Sequence, residues 1–103
     1  MKGMISTMAL AILLAGALPA AAADDAAALY KSKCQICHGA DGKGSPAGLK
    51  MGAKDFQSPE VAKQTDAELI KITKEGKGKM PKYDGKLTDD QIKQLVKYIR
   101  SLK

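Results

Sequence analysis

Both cysteines of the chain and its only histidine fall within five consecutive residues, Cys34-Gln35-Ile36-Cys37-His38. No other feature constrains the fold as strongly, because every thiol and every imidazole must serve at one place. Side chains three apart on a helix are neighbours, so the two sulfurs face the same way, with the histidine beside the second. Cys-x-x-Cys-His is a signature of covalent haem attachment, with two thiols on the vinyl groups of one porphyrin edge. The imidazole is then held beneath the ring, within reach of the iron. Three other uses compete. A lone Cys34–Cys37 disulfide would give the long loops of this chain little to pack on. A redox dithiol normally follows a strand and opens a helix, and nothing before Cys34 reads as a strand. A zinc site needs four ligands, and only three of the usual Cys and His type exist. The haem reading accounts for all three residues at once.

The 23 residues at the start are expected to lie outside the fold. Lys2 is the only charged side chain before Asp24, Ala9 to Leu14 form an apolar centre, and Ala20 to Ala23 are small. A basic start, an apolar run and small residues before an acidic break are the parts of a secretory signal peptide. Cleavage is expected after Ala23, leaving 24–103 as one domain. An uncleaved anchor is the competing possibility, since 21 uncharged residues reach the length of a short span. Export bears on the thiols, which outside the cytoplasm commonly pair unless another chemistry claims them.

The remainder reads as all-α with long loops. A first helix starts after Asp24 or Asp25, either of which can cap it, and runs through Ala26, Leu29 and Tyr30 towards Cys34. Gly39 to Gln57 is rich in glycine and expected to be a loop. Ser58-Pro59-Glu60 looks like a cap with proline at the first helical position. Thr65-Asp66-Ala67-Glu68 has capping-box spacing ahead of Leu69, Ile70 and Thr73, with Gly76 as terminator. Gly76 to Gly85 has no helical period. Thr88-Asp89-Asp90-Gln91 is a second capping box, flanked by Leu87 and Ile92 at hydrophobic-staple positions. Ile92, Leu95, Val96, Ile99 and Leu102 then form one apolar stripe.

A second ligand to such an iron is expected to be a thioether. Once the leader is removed, only Met51 and Met80 remain of five methionines. Met80 precedes Pro81, which disfavours helix at Met80, and Gly76 and Gly78 let the backbone pass close to a flat cofactor. Met80 is therefore the expected ligand, with Met51 packing against the ring or the core. Leu29, Leu49, Phe56, Leu69, Ile70, Tyr83, Leu95 and Ile99 are the expected pocket and core.

Taken together, Cys34 to Gly39, Met80-Pro81 and the closing run from Leu87 through Tyr98-Ile99-Arg100 resemble a small bacterial class I c-type cytochrome. The resemblance covers nearly all of 24–103. It implies a cytochrome c fold of three to four helices with long loops around one covalent haem c. Cys34 and Cys37 would be the thioether anchors, and His38 and Met80 the axial ligands. It further implies that Tyr30 and Tyr98 join the crossing of the end helices, where Ala26 replaces a usual glycine. The His38 ring N–H would find a carbonyl of the following loop, Pro46 being the candidate, and Lys77 or Lys79 could replace Met80 in alkali.

An iron with both axial positions filled moves electrons rather than transforming substrates. The expectation is thus a single-electron carrier outside the cytoplasm, in the periplasm, and not an enzyme. A haem enzyme or small-gas sensor with a displaceable sixth ligand is the alternative. Seventeen Lys and Arg face eleven Asp and Glu, for a formal charge of +6, and Lys2 leaves with the leader. Lys77, Lys79, Lys82 and Lys86 crowd the Met80 segment, with Lys31, Lys33 and Lys43 near the cysteines. Such a rim suits redox partners with acidic docking surfaces. A nucleic-acid role is poorly supported, since no aromatic and basic motif is present. A monomer without stable membrane insertion is expected after cleavage. The length excludes a multidomain enzyme, and two cysteines exclude a disulfide-dense scaffold.

Overall fold

The computed structural model describes residues 25–102. The expected leader, its cleavage after Ala23, and the capping role of Asp24 lie outside the described residues. Five helical segments and no named strand occur within them. The first, α1, is α-helical over 25–29, π-helical over Tyr30–Cys34 and α-helical again over Gln35–His38. It therefore runs on through the Cys-x-x-Cys-His motif instead of stopping near Cys34. The others are α2 (Pro46–Lys50), α3 (Pro59–Ala62), α4 (Asp66–Glu75) and α5 (Asp89–Ser101).

Local chemistry explains the boundaries. The Ser58 hydroxyl accepts from the Val61 N–H to open α3, with Pro59 at the first position. Thr65 with Glu68, and Thr88 with Gln91, form reciprocal capping boxes at the starts of α4 and α5. Gly76 ends α4 at φ +79°, a conformation that few residues other than glycine adopt. One element departs from expectation. The loop anticipated over Gly39 to Gln57 contains α2, opened by Ser45, whose hydroxyl accepts from the Gly48 N–H, with Pro46 at its start. The signal is the same Ser-Pro pair as at Ser58-Pro59, but Gly48 within a five-residue segment obscures it.

Two apolar clusters hold α1, α3, α4 and α5 together. Tyr30, Leu87, Ile92 and Leu95 form one, and Val61, Leu69 and Val96 the other. Leu87 and Ile92 share the first cluster, as a staple requires. Tyr30 and Tyr98 meet at a centroid distance of 5.3 Å, joining α1 to α5, and Ala26 is buried. Phe56, Ile70 and Ile99 border both clusters. Across the surface, the Arg100 Nε donates to Asp66 Oδ1 at 2.6 Å and its terminal nitrogen to the Gln64 carbonyl at 2.6 Å. This clamp fixes α5 to the start of α4. No described helix is long and apolar enough to cross a membrane.

Candidate functional site

Between the clusters opens a largely apolar cavity of about 470 Å³. Cys34, Cys37, His38 and Met80 all line it, so four residues spread over 47 positions of chain converge on one space. Met51 lines it as well, at its exposed edge.

The motif side is built by α1 and buttressed by the following loop. The Gly44 N–H donates to the His38 carbonyl at 2.7 Å and the Ser45 N–H to the Cys37 carbonyl at 3.0 Å. The Ser45 hydroxyl donates to the Ile36 carbonyl at 2.7 Å. These bonds engage carbonyls that the end of a helix leaves without partners. Gly48 is buried against the same turn, because a side chain there would overlap the Cys37 carbonyl. The Tyr30 hydroxyl donates to the Gly39 carbonyl and fixes the exit of the motif.

Met80 is carried by the loop between α4 and α5. Lys77 and Met80 exchange two backbone bonds, of 3.2 and 3.0 Å, closing a tight turn over Gly78 and Lys79. Gly76 again matters: a side chain there would come within 2.7 Å of the Met80 carbonyl. The Tyr83 N–H donates to Thr73 and the Asp84 N–H to Lys74, both at 3.1 Å, tying the loop back onto α4. From the other direction, the Tyr83 hydroxyl donates to the Lys33 carbonyl at 3.1 Å. That single bond spans 50 residues and joins the two sides of the cavity.

Electrostatics separate the competing uses of the motif. Burial is the chief cause of a Cys34 thiol pushed up to about 11, with Lys33 opposing and Cys37 adding to the rise. Redox-active dithiols lie on the opposite side of the usual thiol value. Cys34 and Cys37 carry no disulfide. Burial also lowers His38, so its ring is neutral near pH 7, the form that ligates metals. Burial, then the neighbouring Cys34 and Cys37, raise Tyr83, which keeps its phenol protonated and donating.

Several expectations need correction. Leu49 is 55% exposed and outside the cavity. It follows Gly48 on α2, whose inward face is taken by the glycine contact with Cys37. Leu29 and Ile70, by contrast, pack on the core as expected, outside the cavity lining. Pro46 does not receive the His38 ring: its Nδ1 is buried with no hydrogen-bond partner. Pro46 starts a helix, and its turn is directed at the backbone of Cys37 instead. Val61, Ile72 and Val96 line the cavity without having been anticipated there. Ile72 lies three residues beyond Leu69, so helical spacing alone could have found it. Of the lysines near the motif and the Met80 loop, Lys33, Lys77 and Lys79 border the cavity, and Lys54 joins them.

The walls fit a flat, apolar ring. Two half-buried thiols, a neutral imidazole and a thioether surround a space otherwise lined by Leu69, Ile72, Leu95, Val96 and Ile99. Such a site defines a class of protein that encloses a large aromatic cofactor and keeps water from most of it.

Comparison with known proteins gives the family. The model for "Cytochrome C oxidase, cbb3-type, subunit III" matches residues 21–99. Cytochrome c6 of Leptolyngbya boryana is 35% identical over 78 residues, covering 73% of this chain and 89% of that protein. Cytochrome c-553 of Nitratidesulfovibrio vulgaris (strain DSM 19637 / Miyazaki F) is 32% identical over 103 residues, covering 99% of this chain and all of that one. The solved structure of the KustC0563 c-type cytochrome superimposes with a TM-score of 0.70 at 35% identity, over 76% of this chain and 96% of that one. The chain belongs to the c-type cytochrome family, as a small monohaem class I member whose cofactor is a covalently bound haem c. Members of this kind are electron carriers.

Proposed function

We propose that this protein is a single-electron carrier outside the cytoplasm, in which Cys34 and Cys37 would anchor one haem through thioethers and His38 and Met80 would ligate its iron. The observation that carries the reading is the convergence of these four side chains on one apolar cavity. The haem, when bound, supplies a ferric and ferrous couple that accepts or gives one electron. The chain's residues do the rest. A thioether is a soft ligand that favours the ferrous state, and apolar walls favour the form of lower charge. Tyr83 and Gly76 hold the Met80 loop against the cavity, so a small molecule would have to displace a tethered thioether to reach the metal.

Exchange with partners is assigned to the open edge of the cavity. Lys33, Lys77 and Lys79 border that edge, and Ile36 and Met51 lie exposed beside it. Lys54 is paired with Glu60 at 3.5 Å and contributes less net charge. A basic border around an apolar contact suits transient docking of an acidic redox protein. The domain is assigned to 24–103, released into the periplasm by cleavage after Ala23 and acting as a monomer. The family match begins at residue 21, close to that boundary.

The test is Met80→Ala in the exported protein, with carbon monoxide as probe. The reduced parent is expected to leave carbon monoxide unbound, and the variant to bind it rapidly with altered visible bands. A parent that binds carbon monoxide as readily as the variant would overturn the carrier reading in favour of an enzyme or gas sensor. Mass measurement of the parent checks cleavage and haem count together.

A further inference from the structure

The loop that carries Met80 is fastened unevenly. Lys77 and Met80 bond to each other through their backbones, so those two bonds close the turn on itself and tie it to no helix. Fastening comes at Tyr83. Its N–H donates to the Thr73 carbonyl at 3.1 Å, and its carbonyl accepts from the N–H groups of Lys86 and Leu87, both at 2.9 Å. Its ring packs against the cluster of Tyr30, Leu87, Ile92 and Leu95, with the Lys86 ammonium 5.9 Å from the ring centroid. The backbone bonds hold Tyr83 to α4 and to the approach of α5. The hydroxyl bond, to the Lys33 carbonyl at 3.1 Å, leads to α1 instead.

The landing point of that bond is specific. Lys33 adjoins Cys34 in the π-helical part of α1, where the Gln35 N–H reaches back five residues to the Tyr30 carbonyl. Such a turn departs from the regular α ladder, and within it the Lys33 carbonyl accepts from a side chain 50 residues away. One hydroxyl thus joins the Met80 loop to the helix that carries Cys34, Cys37 and His38. Slack between the two is small. Tyr83 lies three residues beyond Met80, a length of chain that spans at most about 11 Å, and Pro81 stiffens its first step.

We infer that Tyr83 is a positioning residue for Met80, its hydroxyl bond to Lys33 setting how readily the thioether gives way to an entering ligand. The inference rests on Met80 being an axial ligand, as proposed above. Tyr83 acts through the loop: with its hydroxyl fixed on α1, the short span to Met80 keeps the sulfur at the cavity. Without that bond, the loop remains tied to α4 but is free to tilt away from the motif.

The test mixes the ferric holoprotein with imidazole. As the imidazole concentration rises, the exchange rate reaches a ceiling set by release of the thioether, for which the entering ligand must wait. Tyr83→Phe, which deletes only the hydroxyl, is expected to raise that ceiling about fivefold, the equivalent of one ordinary hydrogen bond. Tyr83→Leu, which deletes the ring as well, is expected to raise it at least as far. Tyr98→Phe removes a hydroxyl at the crossing of α1 and α5 and is expected to keep the parent ceiling. A Tyr83→Phe protein with the parent ceiling would overturn the inference, and a rise confined to Tyr83→Leu would assign the hold to the ring and overturn it equally. So would a rise in Tyr98→Phe as large as that in Tyr83→Phe, or a parent whose rate climbs with imidazole without limit. A ferric parent lacking the charge-transfer absorption of a thioether on iron would instead refute Met80 as ligand, an outcome visible before any variant is made.

Discussion

Gly48→Ala separates two physical effects of opposite sign. By helix propensity alone, alanine within α2 should stabilise by about 1 kcal/mol relative to glycine. The packing predicts the reverse. A Cβ on Gly48 would overlap the Cys37 carbonyl and lie 2.8 Å from the Cys37 Cα. Carbon atoms in comfortable contact stand about 3.5 to 4.0 Å apart and the carbonyl oxygen lies closer still, so α2 must retreat by about 1.5 Å from the motif. Both neighbours are backbone, and neither can rotate away. That retreat stretches the Ser45 N–H bond to Cys37, now 3.0 Å, the Ser45 hydroxyl bond to Ile36, now 2.7 Å, and the Gly44 bond to His38, now 2.7 Å. Three such bonds at about 1 kcal/mol each, less the propensity gain, leave a net loss of about 2 kcal/mol. For a domain below 100 residues, this lowers the melting temperature by about 8 to 16 °C. The assay is thermal unfolding of the holoprotein followed in its visible bands, with Ala47→Gly as a propensity control on the same helix. A Gly48→Ala protein that melts at or above the parent would refute the packing argument.

Two further outcomes follow from charge. The Glu68 carboxylate accepts from the Thr65 N–H at 2.7 Å, and this bond lowers its pKa below the ordinary glutamate value. Its stabilisation is therefore present above the unfolded value and fades as pH falls through the lower folded one, so Glu68→Gln should flatten that part of the stability profile in denaturant titrations. An unchanged acid limb would show that the capping bond lacks a charge component. Electron transfer to an acidic partner should slow as ionic strength rises from about 0.01 to 0.1 M, where the Debye length falls from about 30 to 10 Å. Replacing Lys77 and Lys79 by Gln should weaken that dependence; a rate indifferent to salt in the parent would remove docking from the cavity edge.

The helix starts at Thr65 and Thr88 were legible because capping boxes are local: donor and acceptor lie three residues apart and need no tertiary partner. The α5 stripe was legible for the same reason, since its period of 3.6 is written along a single element. Met80 could be selected over Met51 from its proline and glycines, and the structure brings both to the cavity. What escaped were contacts between distant segments. Gly48 reads as one more loop glycine until α2 is laid against Cys37. Leu49 reads as core because it is apolar, yet the close approach of its neighbour turns it outward. The stacking of Phe56 on His38 joins residues 18 apart through a fold that neither announces.

One consequence concerns the terminal helix. Along its stripe, Ile92 and Leu95 belong to the cluster around Tyr30, while Val96 belongs to the cluster with Val61 and Leu69. Leu95, Val96 and Ile99 also line the cavity, together with Val61 and Leu69. The same side chains therefore serve as protein core and as cofactor wall. A chain with four aromatic residues among 103 has little apolar surface to spare for separate tasks. Closing the clusters on each other would remove the cavity, and widening them would lose the contact that burial provides. The second cluster in particular has three buried members and presents each of them to the cavity, so its stability and its capacity to hold a flat cofactor are one property. The Arg100 clamp ties the end of α5 to the start of α4, so the two helices that carry most of this shared wall are held to one another outside the cavity.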